Sequence, residues 1–164
     1  MRMISFNKSK GITIVEFTIV SSTMLLIVFS ILEMGVFVFN MQSLNDLTRR
    51  TARIATVCQV SDGDLIKSLA LSEEVPDGFT TSNLKIEYLD ADGSPVADTE
   101  NNFSSISFVR ASVVDFNYGF FGFLKFLGDN GVISIPQFET ILASESLGVE
   151  RLDSDGNKSY TDCK

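Results

Sequence analysis

The sequence predicts an α+β protein, in which a long amino-terminal α-helix, membrane-spanning in its first half, precedes a head domain built on a small antiparallel β-sheet. Three observations carry that reading. Ile12–Phe39 (ITIVEFTIVSSTMLLIVFSILEMGVFVF) is a 28-residue run with only two charges, Glu16 and Glu33. No proline or turn cluster interrupts the chain from Ile12 to Cys58, and its apolar positions beyond Glu33 recur at helical spacing. Short alternating segments then gather in the second half of the chain, after the helices. The expected divisions are a cytoplasmic basic leader that is cleaved (1–11), a hydrophobic membrane helix (12–39), a helical extension packing on the head (40–58) and an extracytoplasmic α+β head domain (59–164).

Composition narrows the function classes. A chain of 164 residues suggests one folded unit. Its hydrophobic content of 45 % against 21 % charged residues is concentrated in the apolar run, which leaves ordinary material for one small core. With 13 basic and 21 acidic residues the net charge is −8, the wrong sign for neutralising phosphates, so no nucleic-acid partner is expected. Histidine is absent, which removes the commonest general base and metal ligand. No phosphate-binding glycine loop, Cys-x-x-Cys pair or Ser/His/Asp set occurs, so neither an enzyme nor a cofactor is expected. The charge is also uneven: residues 1–11 carry Arg2, Lys8 and Lys10 with no acid, and the remainder carries −11. A basic, acid-free leader before an apolar run is a targeting layout.

The run is too long for a cleaved secretory signal, whose apolar stretch covers only ~7–15 residues. Its uncharged part, Phe17–Leu32, gives roughly 24 Å of helix, short of the ~30 Å hydrocarbon core of a bilayer. Spanning therefore takes Glu16 into the membrane, although only about 6 Å from the start of the run. A buried carboxylate there either snorkels or is protonated as a bystander, or it has a partner. Cleavage after Gly11 would leave Glu16 fifth in the processed chain, and the new amino group of Ile12 would bring a cation to the depth of a neighbouring subunit's Glu16.

This layout of basic leader, Gly11, Glu16 and apolar helix resembles the class III signal of type IV pilin-like proteins. The stretch GITIVEFTIV…LLIVFSILEMGVFVFNMQSLNDLTRRTARIA is similar to the TadE/TadF-like minor pseudopilins of the tight-adherence (Tad) pilus system. The glutamate is followed by an aromatic (Glu16-Phe17), a second Glu-x-Gly (Glu33 to Gly35) closes the membrane segment, and a polar helical extension with Asn45 and Arg49-Arg50 follows. The likeness is close over residues 8–58, and Ile135–Gly148 resembles the distal end of some members. It implies a pilin-like fold and a processing site at Gly11 and Ile12, with subunit assembly through Glu16 and Phe17 and a membrane boundary at Glu33 and Gly35. The partners it implies are a prepilin peptidase, other pilin-like subunits, the Tad assembly platform and membrane lipid. The implied location is the bacterial inner membrane, single-pass, with the amino terminus cytoplasmic and the head periplasmic, or in a surface pilus. Ile12 stands where major pilins have Phe or Met, and N-methylation is not implied.

Along the extension, Phe37, Met41, Leu44, Thr48, Thr51, Ala55 and Cys58 step by four and three residues on one face, widened by Leu47 and Ile54. Asp46 stands four residues before Arg50, a helix-supporting pair. A turn follows at Ser61–Asp64, then a second helix over Asp64–Glu73, ended at Pro76-Asp77-Gly78. Leu84–Tyr88 alternates as a half-buried strand with its turn at Asp90–Gly93, and residues 93–105 read as a loop. Ser105–Phe116 is the best strand pattern, and Ile133–Leu142 contributes another. Phe116–Leu127 concentrates phenylalanine with two glycines and little charge, which suits either a core-lining hairpin tip or a partner- or membrane-binding patch.

The two cysteines, Cys58 and Cys163, lie beyond the run on the side placed outside the cytoplasm, where disulfides persist. Either they are bridged, or Cys58 is buried on the helix face and the tail cysteine is free. Asp153, Asp155 and Asn157 imitate the start of a calcium loop, but glycine stands fourth rather than sixth and no glutamate stands twelfth. A plain turn, with no metal, is the better reading.

The sequence thus reads as a membrane-held minor pilin-like subunit supporting assembly of a Tad/Flp-type pilus for surface adherence. The alternative is a single-pass anchored extracytoplasmic binding or sensing domain outside any filament. Flanking cations tie at three on each side of the run, with Arg2, Lys8 and Lys10 nearer than Arg49, Arg50 and Arg53, which places the amino terminus inside. Intact-mass measurement of protein from membranes is expected to show a chain beginning at Ile12. Retention of Arg2–Gly11 in cells carrying the peptidase, or normal processing of Gly11→Arg, contradicts it.

Overall fold

The computed structural model describes residues 9–71, 75–120, 122–126, 132–149 and 163. The leader as far as Lys8, the expected end of the second helix at Glu73, Phe121, Leu127 and the Asp153–Asn157 turn lie outside the described residues. The architecture is α+β: a long apolar helix followed by a small antiparallel sheet domain. Helix α1 (Ser9–Val57) runs unbroken for 49 residues, roughly 70 Å. Helix α2 is Gly63–Ala70, and the strands are β1 (Leu84–Leu89), β2 (Phe108–Val113), β3 (Asn117–Gly119), β4 (Val132–Ser134) and β5 (Glu139–Ala143). The chain divides into two compact units, Met1–Val38 with Gly119–Ile133, and Phe39–Tyr118 with Ser134–Lys164.

In the second unit the three-stranded sheet has the order β1-β2-β5, antiparallel throughout, with β2 central. The register places Leu84 opposite Val113 and Phe108 opposite Ala143. Alternation along β2 sends Val109, Ala111 and Val113 into the core, all nearly inaccessible. The distal part of α1 packs there through Leu44, Leu47, Thr48, Thr51, Ala52, Ala55 and Thr56. This face is mostly small, so backbones approach closely: Thr48 and Thr140 hydroxyls meet at 3.0 Å, and the Thr51 hydroxyl is satisfied by Leu47 O. Ala52 and Thr56 are buried members that the four-and-three stepping omitted. Arg50 donates to Asp46 at 2.9 Å while Arg49 and Arg53 face outward.

Two strand expectations require correction. The Ser105–Phe116 pattern shortens to Phe108–Val113. Before it, Phe103–Ser105 forms a 3₁₀ turn, and after it Asp115 takes a left-handed backbone (φ 51), held as Asn83 donates to the carbonyls of Val114 and Asp115. Ile133–Leu142 is two strands rather than one, because Pro136 falls between β4 and β5 and has no N–H to give a ladder. The loop read over 93–105 holds that 3₁₀ turn and a single bridge, Leu89 to Pro95, set by Asp90 accepting from the Asp92 and Ser94 amides. Helix α2 ends at Ala70, as the Leu71 N–H turns back to Lys67 O.

On the sheet, Arg110 sits opposite Glu87 and donates to it through Nε and Nη2 at 3.0 and 2.6 Å, and Lys85 reaches the other carboxylate oxygen at 2.9 Å. Lys85 first, then Arg110, hold the Glu87 carboxyl below its ordinary range against the opposing effect of burial. Burial, reinforced by the charge of Asp62, pushes the Tyr88 phenol up to about 12.

The carboxyl end of α1 is closed from the far side of the sequence. Leu147, buried and left-handed (φ 47), donates its N–H to Thr56 O, one of the helix-end carbonyls without an intrahelical donor. Gly148 follows at φ +77 against the chain just past the helix, where a Cβ would stand 2.5 Å from Gln59 N and 2.7 Å from Gln59 Cα. Both the backbone angle and the space demand glycine. Gly148→Ala is expected to destabilise the head by about 2 kcal/mol or more, read as a lowered thermal midpoint of the full chain in detergent. An unchanged midpoint contradicts this closure.

Candidate functional site

The candidate site is the amino-terminal helix with the two carboxylates that interrupt its apolar surface. Over Thr13–Val57 it is long and apolar enough to cross a membrane, and none of its most apolar window is buried within the protein. Ile14, Phe17, Ile19, Met24, Ile27 and Ile31 are all more than half exposed. Four of its hydroxyls bond back onto the helix: Thr18 donates to Ile14 O, Ser22 and Thr23 to Ile19 O, and Ser30 to Leu26 O. Such back-bonding lets Ser and Thr sit in a water-poor setting with little loss.

Glu16 lies on the exposed surface of α1, one position before the exposed Phe17, and no group among the described residues pairs with it. Gly11 and Ile12 fall within the helical span. Glu33 is different. Its Oε2 accepts the backbone N–H of Leu124 at 2.9 Å, across a sequence gap of 91 residues, while its Oε1 is buried without a partner among the described residues. Nearby, Phe37 meets Phe120 with ring centroids 5.4 Å apart. Gly35 has open space around its Cα. No signal in the sequence paired Glu33 or Phe37 with residues so distant.

The aromatic stretch is divided between the two units. Phe116 is buried in the head core edge-on to Phe79 at 5.2 Å, and Tyr118 is buried there with its hydroxyl near Asn40 Nδ2. Phe120 and Leu124 are buried in the unit that holds Glu33. An open cleft of about 360 Å³ in the head, lined by residues 113–117 and 134–137, holds Asp115 as its one ionisable group and assembles no acid–base pair. Among the described residues no cluster of three or more Asp, Glu, Cys or His could hold a metal.

Cys58 and Cys163 are joined by a disulfide, with Cα atoms 5.7 Å apart and a sequence separation of 105. Cys58 is buried beside Ala55, Ile66 and Leu147.

An apolar helix that fits a membrane anchor, carrying an α+β head, is the class of protein defined here. Residues 11–53, about a quarter of the chain, match the family model described as TadE-like protein, consistent with a TadE-like protein of the Tad pilus system. The match coincides with the helix and both carboxylates. No curated protein and no solved structure matches the chain.

For a loop of this length the chain-entropy account of a disulfide gives up to ~4.7 kcal/mol. Cys163→Ser is therefore expected to lower the thermal midpoint and to abolish the faster-migrating species on non-reducing electrophoresis. Quantitative alkylation of both thiols in unreduced protein contradicts the bond.

Proposed function

We propose that this chain is a membrane-anchored minor pilin-like subunit supporting assembly of a Tad/Flp-type pilus used in surface adherence. The observation that carries the reading is a coincidence of position. The TadE-like match over residues 11–53 falls on an exposed apolar helix whose Glu16 stands five residues after Gly11. An ordinary single-pass anchor has no use for that glycine and that carboxylate, which disfavours a tethered binding or sensing domain.

In this reading a prepilin peptidase cuts after Gly11 on the cytoplasmic side, and the head lies outside the inner membrane. Glu16, among apolar neighbours, needs a cation to remain ionised in lipid. The amino group of Ile12 on an adjacent pilin-like subunit supplies it, and Phe17 adds an apolar contact beside the pair. Such a pair contributes little net stability once desolvation is counted; its effect is to set the depth and register at which helices dock. The Tad assembly platform then acts on helices already aligned.

Glu16→Gln keeps the size and removes the charge. It is expected to leave cleavage after Gly11 intact, to improve insertion of the single helix, and to reduce co-purification of tagged pilin-like subunits from membranes together with surface pili and adherence. Undiminished association and pili in Glu16→Gln contradict the pairing. Pili and adherence at parental level in a strain lacking this chain contradict the assembly role itself.

A further inference from the structure

Glu33 and Phe37 hold a piece of chain that the apolar helix alone does not account for. The segment from Gly119 to Phe126 belongs to the same compact unit as the amino-terminal half of α1, not to the head from which it departs. Its described part contains a 3₁₀ turn, Gly122–Phe126, whose Leu124 N–H is taken by the Glu33 carboxylate, and Phe120, whose ring lies on Phe37. We propose that this segment is a second membrane-contact element, lying in the outer headgroup–acyl boundary of a phospholipid bilayer and clipped to the membrane helix by Glu33.

Three arguments select lipid as the occupant. The first is depth. Glu33 stands 20 residues beyond Thr13, roughly 30 Å of helix, which is the thickness of the hydrocarbon core. The turn that it holds is therefore set at the level where hydrocarbon gives way to headgroups. The second is composition. Gly119–Phe126 reads GFFGFLKF, with four phenylalanines, one leucine and one charge, the exposed Lys125. Phe120 and Leu124 are buried in the unit that holds Glu33, but phenylalanine and leucine beside a lysine are the composition of an element that lies in that boundary, where the lysine extends its ammonium toward lipid phosphates while its stem stays in the apolar layer. The third is continuity. Between Glu33 and the end of this unit, α1 leaves Met34, Val36 and Val38 about half exposed, so the apolar band of the helix continues past the hydrocarbon boundary at the level of the segment. The Glu33 bond fits such a layer. The leading N–H groups of a short turn have no acceptor within it, and water is scarce, so a carboxylate from the neighbouring helix replaces the solvent.

The proposal rests on α1 being a membrane helix, and the test separates the two. The chain contains no tryptophan, so one introduced residue reports alone. Full-length Phe123→Trp and, separately, Phe126→Trp are reconstituted in phosphatidylcholine–phosphatidylglycerol vesicles brominated either near the headgroup or deep in the acyl chain. Leu26→Trp in the middle of the run reports on α1. The expected result is about twofold or greater quenching of the segment probes by shallow bromines, with weak quenching by aqueous acrylamide, and quenching of Leu26→Trp by deep bromines. Adding Glu33→Ala should shift the segment probes from bromine to acrylamide quenching, whereas Glu33→Gln, which keeps an acceptor oxygen, should not. Segment probes open to acrylamide and untouched by bromine, with Leu26→Trp still quenched, overturn the proposal and leave the anchor standing. Probes shielded from both quenchers overturn it in favour of a protein contact. A Leu26→Trp that no brominated lipid quenches overturns the anchor and the proposal together. Unchanged bromine quenching in Glu33→Ala overturns the part assigned to Glu33.

Discussion

A helix with one unbroken ladder of backbone hydrogen bonds satisfies its own polar groups wherever it lies, and α1 depends on that property at both ends. Over its amino-terminal half the side chains are apolar and exposed, and the hydroxyls turn back onto the helix. Over its carboxyl-terminal half the same cylinder presents a stripe of Thr and Ala narrow enough for β2 and β5 to approach. Neither half needs a break in the ladder to change surroundings; only the side chains change. The head is in effect a sheet laid on the last turns of α1.

The head closes on the end of α1 through contacts made late in the chain. Leu147 takes up a carbonyl at the helix end, Gly148 occupies a space that admits no side chain, and the disulfide ties Cys163 to Cys58 at the same place. These three features converge within a few residues of one helix terminus. The two left-handed positions there, Leu147 and Gly148, differ in kind: the leucine adopts its strained angle because burial and a hydrogen bond hold it, whereas the glycine adopts its own without strain.

Much of this organisation was legible in the residues, because it depends on local patterns. The helix follows from an uninterrupted apolar and then periodic sequence, β1 from the alternation of Leu84–Tyr88, and the Asp46–Arg50 pair from its spacing. What escaped reading is non-local or stereochemical. Asp115 looks like any strand residue until its backbone angle ends β2, and a single Pro136 divides what reads as one strand. The Glu33–Leu124 bond and the Phe37–Phe120 contact join positions more than eighty residues apart, and no periodicity encodes such pairs. Of the candidate site, Gly11 and Glu16 are singled out by their spacing alone. The partner of Glu33 could be found only in three dimensions.

The bridge between Cys58 and Cys163 also has a mechanical meaning. Everything between these cysteines, including the whole three-stranded sheet, is a covalently closed ring whose two ends meet at the foot of α1. Tension applied between the helix and the chain at Cys163 passes through a sulfur–sulfur bond and bypasses the sheet, whose antiparallel hydrogen bonds would otherwise be unzipped one after another. Under load the head is a pendant on the force path and not a link in it, so pulling at these two points cannot lengthen the chain by the residues enclosed between them.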